Sequence, residues 1–206
     1  GPRAVASAAI AWRYDASAAA MSPFASCAWA RAAVAAGPPP AATAIGSPAN
    51  DGLHVIALCS SQPATALENP RQTPAWQYPR QYGKVSPGFS RGAVLNAGTD
   101  APVLLASGTA SIVGHASMHV DDVAEHCRES LRNLRTLLDE GEKHSRRPFA
   151  FAECQALRVY LRDPAQLEAV RSVFDASGIP AQNIVYLHGE VCRHELAVEL
   201  EGVFSV

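Results

Sequence analysis

The sequence predicts an α+β fold, with one mixed sheet and two helices packed on a single face. Three observations predict it. From residue 102 onward the elements run strand, helix, strand, helix, strand, strand. Each helix carries an apolar stripe at helical spacing behind an acidic cap, and the segment between them alternates apolar and polar residues as a half-buried strand does.

Gly1-Pro2 reads as the scar of a cleaved tag and is set aside. Residues 3–50 are rich in Ala, Gly and Pro, and Gly37-Pro38-Pro39-Pro40 would break a helix begun near Trp29 and carried to Ala36. A short helix and loops are expected there. The run from His54 to Ser60, His-Val-Ile-Ala-Leu-Cys-Ser, reads as a buried strand.

Residues 68–91 differ in kind, with Arg71, Arg80 and Arg91 and the tyrosines Tyr78 and Tyr82 set among prolines and glycines. Arginine offers a planar fork of donors to a carboxylate, while proline and glycine fix the path of the backbone. That composition fits a loop that reads an anion, and equally a solvated linker.

Pro102 to Gly108 reads as a strand that ends in the small-residue turn Thr109-Ala110-Ser111. Asp122 and Glu125 then form a capping-box pattern, with Val123, Cys127, Leu131, Leu134 and Leu138 on one face. This helix is expected to end near Glu140, with Gly141 taking the left-handed cap. From Leu157 to Arg162, Leu157, Val159 and Leu161 face one way and Arg158, Tyr160 and Arg162 the other. A second helix opens at Asp163-Pro164 and carries Leu167, Val170 and Phe174 to Gly178. Ile184 to Cys192 and Leu196 to Val203 read as two paired strands joined at Arg193-His194-Glu195.

Composition narrows the function classes. Among 206 residues, a hydrophobic share of 48% and a charged share of 17% suit a soluble domain with a normal core. A formal net charge of -2 leaves no basic surplus for nucleic acid. Five cysteines without a C-x-x-C spacing fit reduced thiols in a cytoplasmic protein better than a disulfide framework or structural zinc. No apolar run reaches the roughly 18 residues of a membrane helix, and no signal peptide is evident. His115 and His119 stand four apart, a spacing that suits a metal only on a helix; Gly114 and Ser117 argue against one, so no metal is expected.

Several ordered motifs carry a resemblance. Glu68-Asn69-Pro70-Arg71-Gln72, Tyr82-Gly83, Ser86-Pro87, Phe89-Ser90-Arg91, residues 107–115 (Ser-Gly-Thr-Ala-Ser-Ile-Val-Gly-His) and Val191-Cys192-Arg193 resemble the chorismatases. Asn133-Leu134, Val159-Tyr160-Leu161 and the terminal Val-Glu-Leu-Glu resemble the wider YjgF/RidA superfamily, a chorismate mutase-like fold. The likeness covers roughly residues 40–206. It implies that residues 66–206 are a YjgF-like catalytic domain and residues 1–65 a truncated N-terminal region, the remnant of a degenerate second copy. It also implies a homo-oligomer, with the trimer of the superfamily as the expected form, and no cofactor. One departure is Asp121-Asp122, where the family tends to place glycine before the aspartate.

Chorismate bears two carboxylates and an enolpyruvyl ether, so its pocket needs cationic readers and a proton donor. Arg80, Arg91 and Tyr82 are the expected readers, with Arg158 a third cation and Tyr186 a further pocket residue. Protonating the vinyl ether requires an acid that is neutral near pH 7, and a buried carboxyl meets that need. By position Glu199 points away from the helices, and by resemblance it matches the catalytic acid. From the residues alone, Glu199 and Glu201 as a solvated strand face remains open. Cys192 alone reads as a small apolar packer. By resemblance it marks members that make 3-hydroxybenzoate and pyruvate, in place of hydrolysis to a dihydroxycyclohexadiene carboxylate. RidA-type imine hydrolysis is disfavoured because the place of the imine-binding arginine falls near Ile184. A non-catalytic binding or assembly subunit is the remaining alternative.

Overall fold

The computed structural model describes residues 7–15, 38–47, 54–60 and 63–206. Three strands lie in the N-terminal part: β1 (Ser7–Asp15), β2 (Ala42–Ser47) and β3 (His54–Ser60). They form a small sheet in the order β2-β1-β3, β2 parallel and β3 antiparallel to β1. A strand is present over His54 to Ser60, but it is not the buried strand expected, since Ile56 and Leu58 are exposed on this small sheet; residues 7–15 and 42–47 are strands where a helix and loops were expected. Alanine-rich sequence has weak strand propensity, so partner strands decide its conformation here. The helix expected near Trp29 to Ala36 lies outside the described residues.

Strands β4 (Thr65–Leu67), β5 (Gly92–Leu95), β6 (Val103–Thr109), β9 (Cys154–Leu161), β10 (Ile184–His188) and β11 (Val198–Ser205) build the main sheet, in the order β10-β9-β11-β6-β5-β4. Only β9 and β10 run parallel; the other neighbours are antiparallel. A short hairpin, β7 (Ile112–Val113) with β8 (Ala116–Ser117), follows β6. Helices α1 (Val123–Ser145) and α2 (Leu167–Asp175) complete the domain. The mixed sheet with two helices on one face is therefore the observed architecture.

Two expectations are corrected. The last two strands do not pair with each other, because β9 lies between them. Residues 189–197 are long enough to carry the chain across β9, which is buried on both faces at Val159, Tyr160 and Leu161 and suits the sheet interior. The first helix also runs past Gly141 to Ser145 and ends on Arg146 in the left-handed region, φ 60°. Gly141 serves packing instead of capping: a Cβ there would lie 2.3 Å from Leu104 Cδ1. Its N-terminus is as expected, with the Asp122 carboxylate accepting from the Glu125 N–H at 3.0 Å.

The helix side of the sheet holds the main core. Cys127, Leu131, Leu134 and Leu138 of α1 and Val170 and Phe174 of α2 pack on Leu104, Leu157, Val159, Val198, Leu200 and Phe204. The opposite face is covered by β2. Ala42 N–H donates to Ser107 Oγ at 3.0 Å, and Gly46 and Glu190 exchange both backbone bonds at 2.8 and 3.0 Å. Ser90 ties down the segment before β2, its N–H donating to Pro40 O and its Oγ to Pro39 O. Thr43 and Ile45 of β2 are buried as a result.

Candidate active site

Glu199 lies on the face under β2. Alternation along β11 sends Val198 and Leu200 into the helix-side core and Glu199 the other way, where it is only 5% exposed. Space for its carboxyl comes from a β-bulge between β11 and β6. Leu200 pairs with Thr109 and Gly202 with Ala106, so Ser107 and Gly108 stand across from Glu201 alone. A Cβ on Gly108 would fall 2.1 Å from Glu199 Oε1 and 3.4 Å from Thr43 Cγ2. Glycine at this one position thus lets the carboxyl lie over the strand backbone, with β2 above it.

Burial pushes the Glu199 carboxyl up to about 8, helped by the neighbouring Glu201 carboxylate and opposed by Arg91. Glu201, two residues along the strand, accepts from Tyr160 Oη at 2.8 Å and sits 3.4 Å from Arg158.

Two buried arginines face the same aromatic ring. Arg91 donates to Tyr78 Oη at 2.5 Å and Thr73 O at 3.2 Å, with its guanidinium 5.5 Å from the Tyr78 ring centroid. Arg193 donates to His115 O and Ser117 Oγ and lies 4.9 Å from the Tyr78 centroid and 3.7 Å from that of Tyr82. Tyr82 Oη meets His115 Nδ1 at 3.2 Å. Among the described residues Arg91 Nε and Arg193 Nη2 are buried with no hydrogen-bond partner, and guanidinium donors in a buried aromatic setting suit the oxygens of an anion. Beside them Glu68 accepts from the Arg91 N–H at 3.3 Å, and burial pushes its carboxyl up to about 7 against the pull of Arg91.

Cys192 precedes Arg193 on the loop between β10 and β11. It is half-buried and packs against the small cluster of Ala110, Ile112, Val191 and Leu196. Burial, with Glu199 and Glu195 nearby, pushes its thiol up to about 12 despite Arg193 and Arg91. It is a neutral S–H at ordinary pH, not a nucleophile.

Of the residues singled out in the sequence, the fold gathers Glu199, Cys192, Arg91 and Tyr82. Arg80 is exposed at the start of the 3-10 turn Arg80–Tyr82. Arg158 is exposed on the outer part of β9, beside Glu201. Tyr186 is not in the cluster: it pairs in register with Val159 and packs edge-on against Phe174, with Arg171 over its ring, on the helix side. Arg193, Tyr78 and Glu68 were not chosen as site residues. Arg193 stood beside Cys192 in a motif already noted, and Glu68 opened another, but nothing local to either marks it as buried.

The two histidines part ways, His115 to Tyr82 and His119 to within 3.9 Å of Glu129. Among the described residues no group of three or more His, Cys, Asp or Glu side chains converges on a possible metal position, and no helix is long and apolar enough to cross a membrane.

Comparison with known proteins places these features in context. No family model matches the chain. A 3-hydroxybenzoate synthase of Streptomyces hygroscopicus is 37% identical over 171 residues, covering 80% of this chain and 50% of that protein. A chorismatase of Streptomyces rapamycinicus is 34% identical over 170 residues, covering 81% and 51%. The chain thus spans about half the length of the curated relatives it matches. A chorismatase crystal structure superposes with a TM-score of 0.80 at 27% identity, over 95% of this chain and 63% of that one. The Rid-family protein YyfA of Yersinia pestis, at 14% identity, TM-score 0.50, and 70% and 100% coverage, shares the fold alone.

Proposed function

We propose that this chain, which belongs with the chorismatases by homology and by fold, binds chorismate and releases pyruvate from it, with Glu199 as the general acid. The observation that carries the reading is a carboxyl sealed between the Gly108 backbone and β2 and pushed up to about 8. Such a group is protonated at neutral pH and can give its proton to the terminal methylene of the enolpyruvyl ether, which becomes the methyl of pyruvate. The resulting oxocarbenium ion is stabilised by the Glu199 carboxylate that the transfer leaves behind. Arg91 and Arg193, stacked on Tyr78 and Tyr82, supply donors for the two substrate carboxylates.

The product belongs to the same proposal. 3-Hydroxybenzoate and pyruvate together contain the atoms of chorismate, so aromatisation consumes no water and a ring proton restores the Glu199 acid. Hydrolysis consumes one water, which restores the proton instead. A neutral thiol at Cys192, next to Arg193 on the loop and packed on an apolar cluster, is poorly hydrated and disfavours a water beside the cation. That supports 3-hydroxybenzoate as the product. Incubating the protein with chorismate, assaying pyruvate and resolving the aromatic acids by chromatography tests both parts. Binding of a chorismate analogue without pyruvate release would favour a binding subunit, and a dihydroxycyclohexadiene carboxylate as sole product would overturn the role of Cys192. The homo-oligomer is part of this proposal, and sedimentation velocity tests it.

A further inference from the structure

The loop of residues 189–197 carries both Cys192 and Arg193 yet, apart from the single bridge at Glu190, has no strand or helix of its own. Its backbone is gripped from beneath by one side chain. Arg162, the residue after β9, donates Nε to Leu196 O at 3.1 Å and Nη2 to Val191 O at 2.6 Å and to Arg193 O at 2.9 Å. Its Nη1 meets the Glu190 carboxylate. The backbone repeats the attachment at both ends: Gly189 N–H donates to Leu161 O and Arg162 N–H to Ala197 O, each at 3.0 Å. One guanidinium therefore takes carbonyls on both sides of Cys192, and Glu190 is held from the other side by Gly46 of β2.

Guanidinium donors lie in one rigid plane, so four acceptors spread over seven residues are satisfied together only when the loop has a single shape. We propose that Arg162 is a positioning residue: it fixes the loop so that Arg193 stays over Tyr82 and Cys192 stays packed on Ala110, Ile112 and Leu196. Its consequence for turnover rests on the chorismate reading above; its consequence for the loop does not. Lysine is no substitute, because a single ammonium cannot span acceptors at Glu190, Val191, Arg193 and Leu196 at once.

Site-resolved thiol labelling followed by mass spectrometry tests the loop directly, using the full chain as wild type, Arg162→Ala and Arg162→Lys. Cys192 should label faster in both variants by at least about tenfold, the change expected when local opening becomes easier by roughly one hydrogen bond. Cys127 and Cys154, buried in the helix-side core, should keep wild-type rates. An unchanged rate at Cys192, or an equal acceleration at Cys192, Cys127 and Cys154, would overturn the positioning role. Labelling needs no turnover, so its failure is distinct from failure of the chorismate reading. In the same variants the ratio of hydrolysed to aromatic product should rise and kcat should fall, with Arg162→Lys giving no rescue. Wild-type product ratio and kcat in Arg162→Ala would overturn the link from loop to chemistry.

Discussion

The two faces of the six-stranded sheet are made by the same strands and obey different rules. On the helix side Leu104, Leu157, Val159, Leu200 and Phe204 meet α1 and α2 in an apolar core, where each contact is replaceable and contributes through area. On the other side Glu199, Tyr160 and Glu201 are covered by β2 and the loop after β10. There a charge must be paired or protonated, so position counts for more than area. The difference teaches that stability and chemistry are separable in this domain by the parity of a residue along a strand.

The sharpest way to break that comparison is Glu199→Gln. It keeps the shape and removes the proton, so pyruvate release should fall by about 10³-fold or more while the circular dichroism spectrum is unchanged. Near wild-type turnover would remove Glu199 from the chemistry. The stability of this variant has a definite sign. Burial raises the Glu199 carboxyl from 4.5 to about 8, so between those values the native state holds a proton that the unfolded chain has lost. Wild-type stability from this group is full below 4.5 and is lost as pH rises through about 8. Glu199→Gln should therefore gain most over wild type in melting temperature at pH 9 and least at pH 4.

Leu134→Ala attacks the other face. It should cost about 3 kcal/mol in denaturant unfolding through the cavity it leaves, with kcat of the folded fraction unchanged. Gly108→Ala comes next: its methyl displaces the Glu199 carboxyl, and a misplacement of that order should lower pyruvate release by about 10²-fold with little change in midpoint denaturant concentration. The pH profile sharpens the assignment further, since pyruvate release should hold below pH 7 and decline above about 8. Glu68 is also raised, to about 7, so Glu68→Gln should leave that alkaline limb in place if Glu199 is the acid. The smallest effect belongs to Tyr186→Phe, expected to change stability by less than about 0.5 kcal/mol and pyruvate release not at all, because the ring packs on Phe174 away from the site.

Much of the helix-side face was legible in the sequence. Leu131, Leu134 and Leu138 repeat at helical spacing, Leu157, Val159 and Leu161 at strand spacing, and each pattern has one way to bury itself. Alternation also put Glu199 on the face away from the helices. Arg193 and Tyr78 were harder to see, because neither sits in a periodic element and their burial depends on segments 78 and 13 residues away, at His115 and at Arg91. Tyr186 was named from its nearness to the place near Ile184 that the resemblance marks, whereas its ring packs on Phe174 on the helix side.

Local physical chemistry by itself thus determined the fold class, the two helices with the cap of the first, the apolar core and the outward side of β11, since periodicity, capping and turn chemistry act within a few residues along the chain. Only the tertiary structure decided that Glu199 is protonated. Its proton affinity comes from desolvation, and the carboxyl lies against Gly108 across the sheet, with Thr43 of β2 packed over the same glycine; both lie far from Glu199 in sequence and carry no mark of that role.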